Sequence, residues 1–92
     1  MSEMRAGDES GPMPRYLLHH RHEAKECGLV FASFKGHASP LRHQPTLASC
    51  ASGGHAIWWT VEAEGQEAAL DLLPFYVAGR TTATAVSEVR IP

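Results

Sequence analysis

Histidine and cysteine side chains, which bind transition metals, are concentrated in two short stretches of this 92-residue chain. The run HHRHE at residues 19–23 holds three of the 6 histidines, and Cys27 follows it closely. The second stretch contains Cys50 and His55. Imidazole and thiolate are the usual protein ligands of zinc, copper and nickel. These residue types indicate a metal site, although a polar strand end would contain the same histidines.

Bulk composition excludes several classes of partner. The chain is 43% hydrophobic and 20% charged, with a net charge of −2, as in an ordinary globular domain. Lysine and arginine are scattered, whereas a nucleic-acid surface shows a basic stripe. No apolar run approaches the roughly 20 residues of a membrane helix, and no signal region precedes the domain. Two cysteines do not make a disulfide framework, so we expect a cytoplasmic protein with free thiols.

The hydrophobic pattern predicts a single domain over residues 14–92, after a disordered leader at residues 1–13, and Met13 is an alternative start. A proline at position 74 predicts a kink or a restart in the second helix. The predicted strands are Arg15–His22, Thr46–Cys50, Ala56–Ala63 and Thr81–Ile91, and the predicted helices are Glu23–Lys35 and Gln66–Val77.

The element order β-α-β-β-α-β indicates an α+β, ferredoxin-like fold, a four-stranded antiparallel sheet with two helices on one face. The other face would carry Trp58 and is too apolar for water, which predicts a homodimer. On this ground residues 15–91 resemble the dimeric α/β-barrel superfamily. That superfamily includes cofactor-free monooxygenases, haem-degrading enzymes, muconolactone isomerase-like proteins and small nickel-binding proteins. No family motif carries a catalytic residue over. The stretch CASGGHAIWW at residues 50–59 is similar to short uncharacterised bacterial proteins.

The expected strand order, 4-1-3-2, places the histidine and cysteine stretches at one edge of the sheet. His20 and His22 are two residues apart on a strand, so they point to the same face, whereas His19 points to the other. Cys27 is also near this edge, but its place on an apolar helical stripe with Ala24, Phe31 and Phe34 favours a buried thiol. The predicted metal ligands are His20, His22, Cys50 and His55.

The leading hypothesis is a small cytoplasmic protein that binds zinc, nickel or copper at this edge. Three ligands would leave an open coordination position, and four would make a closed, structural site. The alternative is a dimeric-barrel small-molecule-binding protein or a cofactor-free monooxygenase or isomerase. Its ligand pocket would contain Trp58, Tyr76 and Arg90, with His20 or His22 as general base. A third hypothesis is a protein whose sheet docks a partner. No glycine-rich phosphate loop is present, and a Cys–His dyad of Cys50 with His55 or His20 is geometrically possible as a nucleophile arrangement.

Overall fold

Four antiparallel strands form one open sheet in the computed structural model of this protein, which describes residues 13–92. Across the sheet the strands lie in the order β2-β3-β1-β4, which is 4-1-3-2 from the other edge. Residues 1–12, most of the predicted leader, lie outside the described residues. The strands are β1 (Arg15–Arg21), β2 (Leu47–Ala48), β3 (Ala56–Glu62) and β4 (Thr81–Val86).

The helices are shorter than predicted. A 3₁₀ turn over Ala24–Glu26 leads into α1 (Cys27–Ala32), and the chain then turns until Gly36, whose φ is 79°. The second predicted helix is two helices, α2 (Gln66–Leu70) and α3 (Phe75–Ala78). Between residues 13 and 92, no helix has the length and apolar character to span a membrane.

Pro74 causes the break between α2 and α3. It lacks an amide proton and occupies the N-cap of α3 with a φ of −57°, a position where proline's fixed φ is tolerated. The Val77 and Ala78 amides both donate to the Pro74 carbonyl, so α3 begins with a proline in place of a side-chain cap. The prediction of a restart at this proline is confirmed.

One face of the sheet carries the hydrophobic core. Ile57, Trp59 and Val61 alternate along β3 and are buried, and Leu18 of β1 pairs with Trp59. Side chains from all three helices join these strand residues in a single cluster. The helical contributions are Val30, Ala69 and Val77. The face that bears Ile57 is therefore the one that the helices cover.

The apolar stripe predicted for the first helix is wrong except at Phe34, which packs against the core. Val30 is the buried residue of α1, while Phe31 is 49% exposed. The predicted stripe assumed 3.6 residues per turn from Glu23 onward, but residues 24–26 form a 3₁₀ turn with 3.0 residues per turn. Three residues of this tighter turn rotate the following side chains by roughly 60°. Cys27 therefore leaves the core face and points toward the end of β1.

Two strands end earlier than predicted. β2 has only two residues, and Cys50 lies in a 3₁₀ turn over Cys50–Ser52 instead of on the strand. β4 ends at Val86, so Arg90 lies beyond the sheet and is exposed. In this tail Glu88 pairs with Arg15, at 3.6 Å from carboxylate to guanidinium.

Candidate metal centre

Two histidines and two cysteines converge at one edge of the sheet. His22 Nε2 lies 3.2 Å from Cys27 Sγ and 3.4 Å from Cys50 Sγ, and His55 Nδ1 lies 3.1 Å from Cys27 Sγ. All four ligand atoms are within 4.8 Å of one another. Around tetrahedral zinc, nitrogen and sulfur ligands lie roughly 3.3–3.8 Å apart, from bond lengths of about 2.0–2.3 Å. The three contacts are near this range, and the cluster is compact enough for its four atoms to bind one ion.

The first pair of ligands is placed by the end of β1 and the turn that follows it. The His22 amide donates to the His55 carbonyl at 3.1 Å, which joins the two halves of the site through the backbone. The Glu23 amide donates to Glu26 Oε1 at 2.9 Å, and the Glu26 amide donates to the Glu23 carbonyl at 2.8 Å. The first of these bonds belongs to a capping box and the second closes the turn through the backbone, and together they fix the 3₁₀ turn that brings Cys27 back to His22.

The second pair is placed by the connection between β2 and β3. The Ser49 amide donates to the Ala56 carbonyl at 2.8 Å, and the Ala56 amide donates to Ser49 Oγ at 3.0 Å, which closes the loop at its base. Within the loop, the Gly53 amide donates to the Cys50 carbonyl at 3.1 Å, and the φ of Gly53 is 89°. Glycine adopts this left-handed conformation without steric cost.

His55 itself has a left-handed backbone, with a φ of 53°. A non-glycine residue in this region is uncommon, and such strain concentrates at functional sites, where the surrounding structure maintains it. Here the hydrogen bond from the His22 amide holds the peptide of His55. The conformation turns His55 Nδ1 toward Cys27 Sγ. The loop therefore adopts a less favourable backbone conformation at His55, and this conformation allows the contact with Cys27.

Burial changes the pKa values of His22 and Cys27 in the cluster. Desolvation, and next the neighbouring His55, lowers the pKa of His22 below its ordinary 6.5. Desolvation, and next the adjacent Cys50, raises the pKa of the Cys27 thiol above its ordinary 9.0. A neutral imidazole is the metal-binding form of histidine, whereas a thiol must release its proton to a base when it binds a metal.

The four-residue cluster differs from the predicted ligand set by one exchange. His22, Cys50 and His55 belong to it as predicted, and Cys27 stands where His20 was expected. His20 lies outside the group: it is fully buried, and its Nδ1 is 3.2 Å from Thr81 Oγ1. Its ring is nevertheless beside the cluster, with its centroid 5.2 Å from that of His22.

A sequence signal for Cys27 existed in the spacing. His22 and Cys27 are separated by four residues, and Cys50 and His55 are also separated by four. Each pair can therefore close over one short turn, so two such turns supply four ligands. The assignment of Cys27 to an apolar stripe obscured this repeated spacing.

The residues predicted for a ligand pocket lie in three different places. Trp58 is on the face away from the helices, stacked on His19 with ring centroids 5.3 Å apart. The Tyr76 hydroxyl donates to Glu26 Oε2 at 2.9 Å. Arg90 is in the exposed tail after β4. No described cavity is lined by more than one of these three side chains.

A set of charged and polar groups surrounds the outer side of the cluster. Arg80 and Glu26 form an ion pair, and the Arg80 guanidinium lies 5.2 Å from the centre of the Tyr76 ring. Arg80, followed by the Glu23 backbone and the Tyr76 hydroxyl, lowers the pKa of Glu26 to about 2. The ion pair links the residue before Cys27 to the segment between α3 and β4. It therefore fixes the position of α1 relative to the sheet.

Comparisons with known proteins found no matching family model, no matching curated protein and no matching solved structure. The geometry of this edge of the sheet is therefore the feature from which a function can be inferred.

Proposed function

We propose that this protein is a small metal-binding protein that holds one zinc ion per chain through His22, Cys27, Cys50 and His55. The observation that supports it is the convergence of four ligand atoms, contributed by two separate turns, within 4.8 Å. Two imidazoles and two thiols form the Cys2His2 donor set of structural zinc sites. Among the three predicted metals this donor set favours zinc, because two thiolates with two imidazoles are its usual structural ligands, whereas nickel(II) and copper(II) favour square-planar or tetragonal nitrogen and oxygen sites.

Four protein ligands fill a tetrahedral shell, so the proposed centre is closed and structural. A domain of this size buries only about 60–65% of its unfolded surface, which leaves a thin core. The ion would tie the end of β1, the start of α1 and the β2–β3 connection together. In this proposal zinc supplies folding free energy that the hydrophobic core does not provide.

The wider assignment follows from the same features. We propose a ferredoxin-like domain related to the dimeric α/β-barrel proteins, because its element order and antiparallel strand order are compatible with that fold. We further propose a homodimer that forms through the face bearing Trp58, which the helices do not cover. Two free thiols are compatible with a reducing compartment, which supports a cytoplasmic location.

Metal analysis of protein purified without a histidine tag tests the zinc site. We expect one zinc per chain by elemental mass spectrometry, and cobalt(II) substitution should give visible bands of a tetrahedral ion with thiolate ligands. Cys27→Ser and Cys50→Ser should each lose most of the bound metal. His19→Ala is the matched control, because it removes a neighbouring histidine from the opposite face and should retain full occupancy.

Two results would contradict the proposal. One is metal-free protein that takes up neither zinc nor cobalt under reducing conditions. The other is a Cys27→Ser variant with wild-type zinc affinity. Chelation offers an independent readout, since removing the ion should lower the melting temperature. If free zinc stands 1,000-fold above Kd, the lost stabilisation is about 4 kcal/mol. A chelator that leaves the melting temperature unchanged would exclude a structural role.

A further inference from the structure

A cavity of about 370 Å³ lies on the helix-covered side of the sheet, away from the metal cluster. Its apolar wall combines aromatic rings from α1, the turn after it and β3 with one aliphatic side chain from the long loop. Phe34 packs against Trp59 with ring centroids 6.0 Å apart, and Trp59 is only 8% exposed. The apolar lining residues are Phe31, Phe34, Leu41 and Trp59. Sites for small molecules in proteins have about this size and this character.

The polar part of the lining is cationic. Lys35 and Arg42 line the cavity, and the remaining polar residues are His43, Gln44 and Thr46. No carboxylate lines it. Within residues 13–92, the ion pairs involve other basic groups, and neither Lys35 nor Arg42 takes part in them. Arg42 is also half-buried as a residue, and it has no acidic partner from this part of the chain.

We propose that this cavity binds a small organic anion with a flat apolar body and one carboxylate. The body would lie against Phe34 and Trp59, and the carboxylate would meet Arg42, whose planar guanidinium matches a carboxylate with two parallel hydrogen bonds. Lys35 adds a second positive charge at the rim. None of the four proposed zinc ligands lines the cavity, so this site is separate from the zinc centre, and it is tested on the folded protein as purified.

Two probes with the same ring system and opposite charges test whether the cavity prefers an anion. The probes are 2-naphthylacetate and 2-naphthylethylamine, and their binding can be followed at the indole N–H resonance of Trp59. That resonance is assigned with Trp58→Phe, which leaves a single indole. We expect the acetate to saturate and to shift Trp59, and the amine to bind at least about tenfold more weakly, because one charge-assisted pair is replaced by a repulsion.

Two variants complete the test. Arg42→Gln should weaken 2-naphthylacetate binding by about tenfold and should leave the affinity for the amine equal or improved. Arg15→Gln is the control, since it removes a guanidinium that pairs with Glu88 outside the cavity. The proposal is overturned if neither probe shifts Trp59 at millimolar concentration, if both bind equally well, or if Arg42→Gln and Arg15→Gln have the same effect.

Discussion

His20 is fully buried beside the cluster, and its contacts indicate which of its ring nitrogens carries the proton. Thr81 Oγ1 donates to the Val77 carbonyl at 2.7 Å, so it accepts from His20 Nδ1. The proton is therefore on Nδ1, and Nε2 is a bare acceptor, buried and without a partner among the described residues. His22 Nδ1 is also buried and unpartnered within residues 13–92, and it carries the proton when Nε2 of the same ring binds a metal. Adjacent rings thus hold a complementary donor and acceptor.

His20 Nε2 and His22 Nδ1 form no hydrogen bond in the structure, so we expect a small rotation of the adjacent rings to join them when the metal binds, which predicts a supporting role for His20. His20→Leu should keep one zinc per chain but should weaken zinc affinity by about 10–100-fold, the usual effect of removing an outer partner of a metal-bound histidine. Competition against a chromophoric chelator measures it, with His19→Leu as the control of equal size on the other face. If His20→Leu abolished stoichiometric binding, His20 would be a ligand, as the sequence alone predicts.

Gly54 is required in the cysteine–histidine loop for steric reasons. A Cβ at this position would lie 2.9 Å from Ser49 Cβ and closer still to Ser49 Oγ, which accepts the Ala56 amide at the base of the loop. Gly54→Ala should therefore lower the free energy of unfolding by about 1–3 kcal/mol, as overpacking does, and should also weaken zinc binding. Urea unfolding of the zinc-loaded protein measures the first effect.

Gly28 provides the matched comparison. It lies within α1, and a Cβ added here would meet no atom within 4 Å beyond its chain neighbours and the backbone of its own helix. Gly28→Ala should raise the free energy of unfolding by about 0.5–1 kcal/mol, because alanine loses less backbone entropy in a helix. Opposite signs for the two variants would support the steric argument, whereas equal destabilisation by both would contradict it.

At this scale the sequence predicts much of the site. Topology alone places His22, Cys50 and His55 at one edge, because strand ends meet there. Whether His20 or Cys27 is the fourth member of the cluster depends on a 3₁₀ turn. A capping box of two glutamates stabilises this turn relative to an ordinary helix. That preference reflects tertiary contacts of Glu26 with Arg80 and Tyr76, which lie 50 or more residues away. The hydrophobic periodicity of the first helical segment gives no indication of these distant contacts.

At the scale of elements, Glu26 joins the 3₁₀ turn to α3 through the Tyr76 hydroxyl. This hydrogen bond, followed by burial, raises the pKa of Tyr76 above its ordinary 10.0. A folded-state pKa above the unfolded value means that the stabilisation is fully present below pH 10.0 and is lost as pH rises through the folded value. The link between these elements should therefore weaken in strong alkali, and also in acid as the pH falls from 4.5 to about 2 and Glu26 is protonated.

Phenolate absorbance in a Tyr16→Phe background, where Tyr76 is the remaining tyrosine, tests this link. Glu26→Gln should bring the pKa of Tyr76 down toward 10.0, because the carboxylate charge that disfavours the phenolate is gone. Glu67→Gln, which neutralises an exposed carboxyl in α2, is the control and should leave the titration unchanged. A Tyr76 titration insensitive to Glu26→Gln would show that the hydrogen bond does not form in solution.

Element order and strand alternation follow from local chemistry in this chain. Pro74 breaks a helix because it lacks a donor, and Ile57, Trp59 and Val61 alternate because a pleated strand has a period of two. Element lengths do not follow from the same rules. Residues after Val86 have strand-like composition, but β4 stops where its partner β1 begins, at Arg15. Pairing partners limit the strands, and the partners are distant in sequence.

At the scale of the whole molecule, the sheet face opposite the helices remains open within residues 13–92. Leu47 is 75% exposed and pairs with Trp58, whose ring stacks on His19, and Val86 of β4 is 36% exposed. The helices cover the other face and its core. A face with these apolar side chains is the surface through which we propose that two copies of the chain associate.

Charge substitution on that face tests the homodimer. Leu47→Glu should convert a dimer into a monomer, because it would place a carboxylate in a contact that excludes water. Phe75→Glu is the matched control: Phe75 is 94% exposed on α3, on the helix side, and its loss should not change the assembly. Light scattering after gel filtration gives the mass of each. A monomeric wild-type protein at tens of micromolar would contradict the dimer, and dissociation by Phe75→Glu alone would move the interface to the helices.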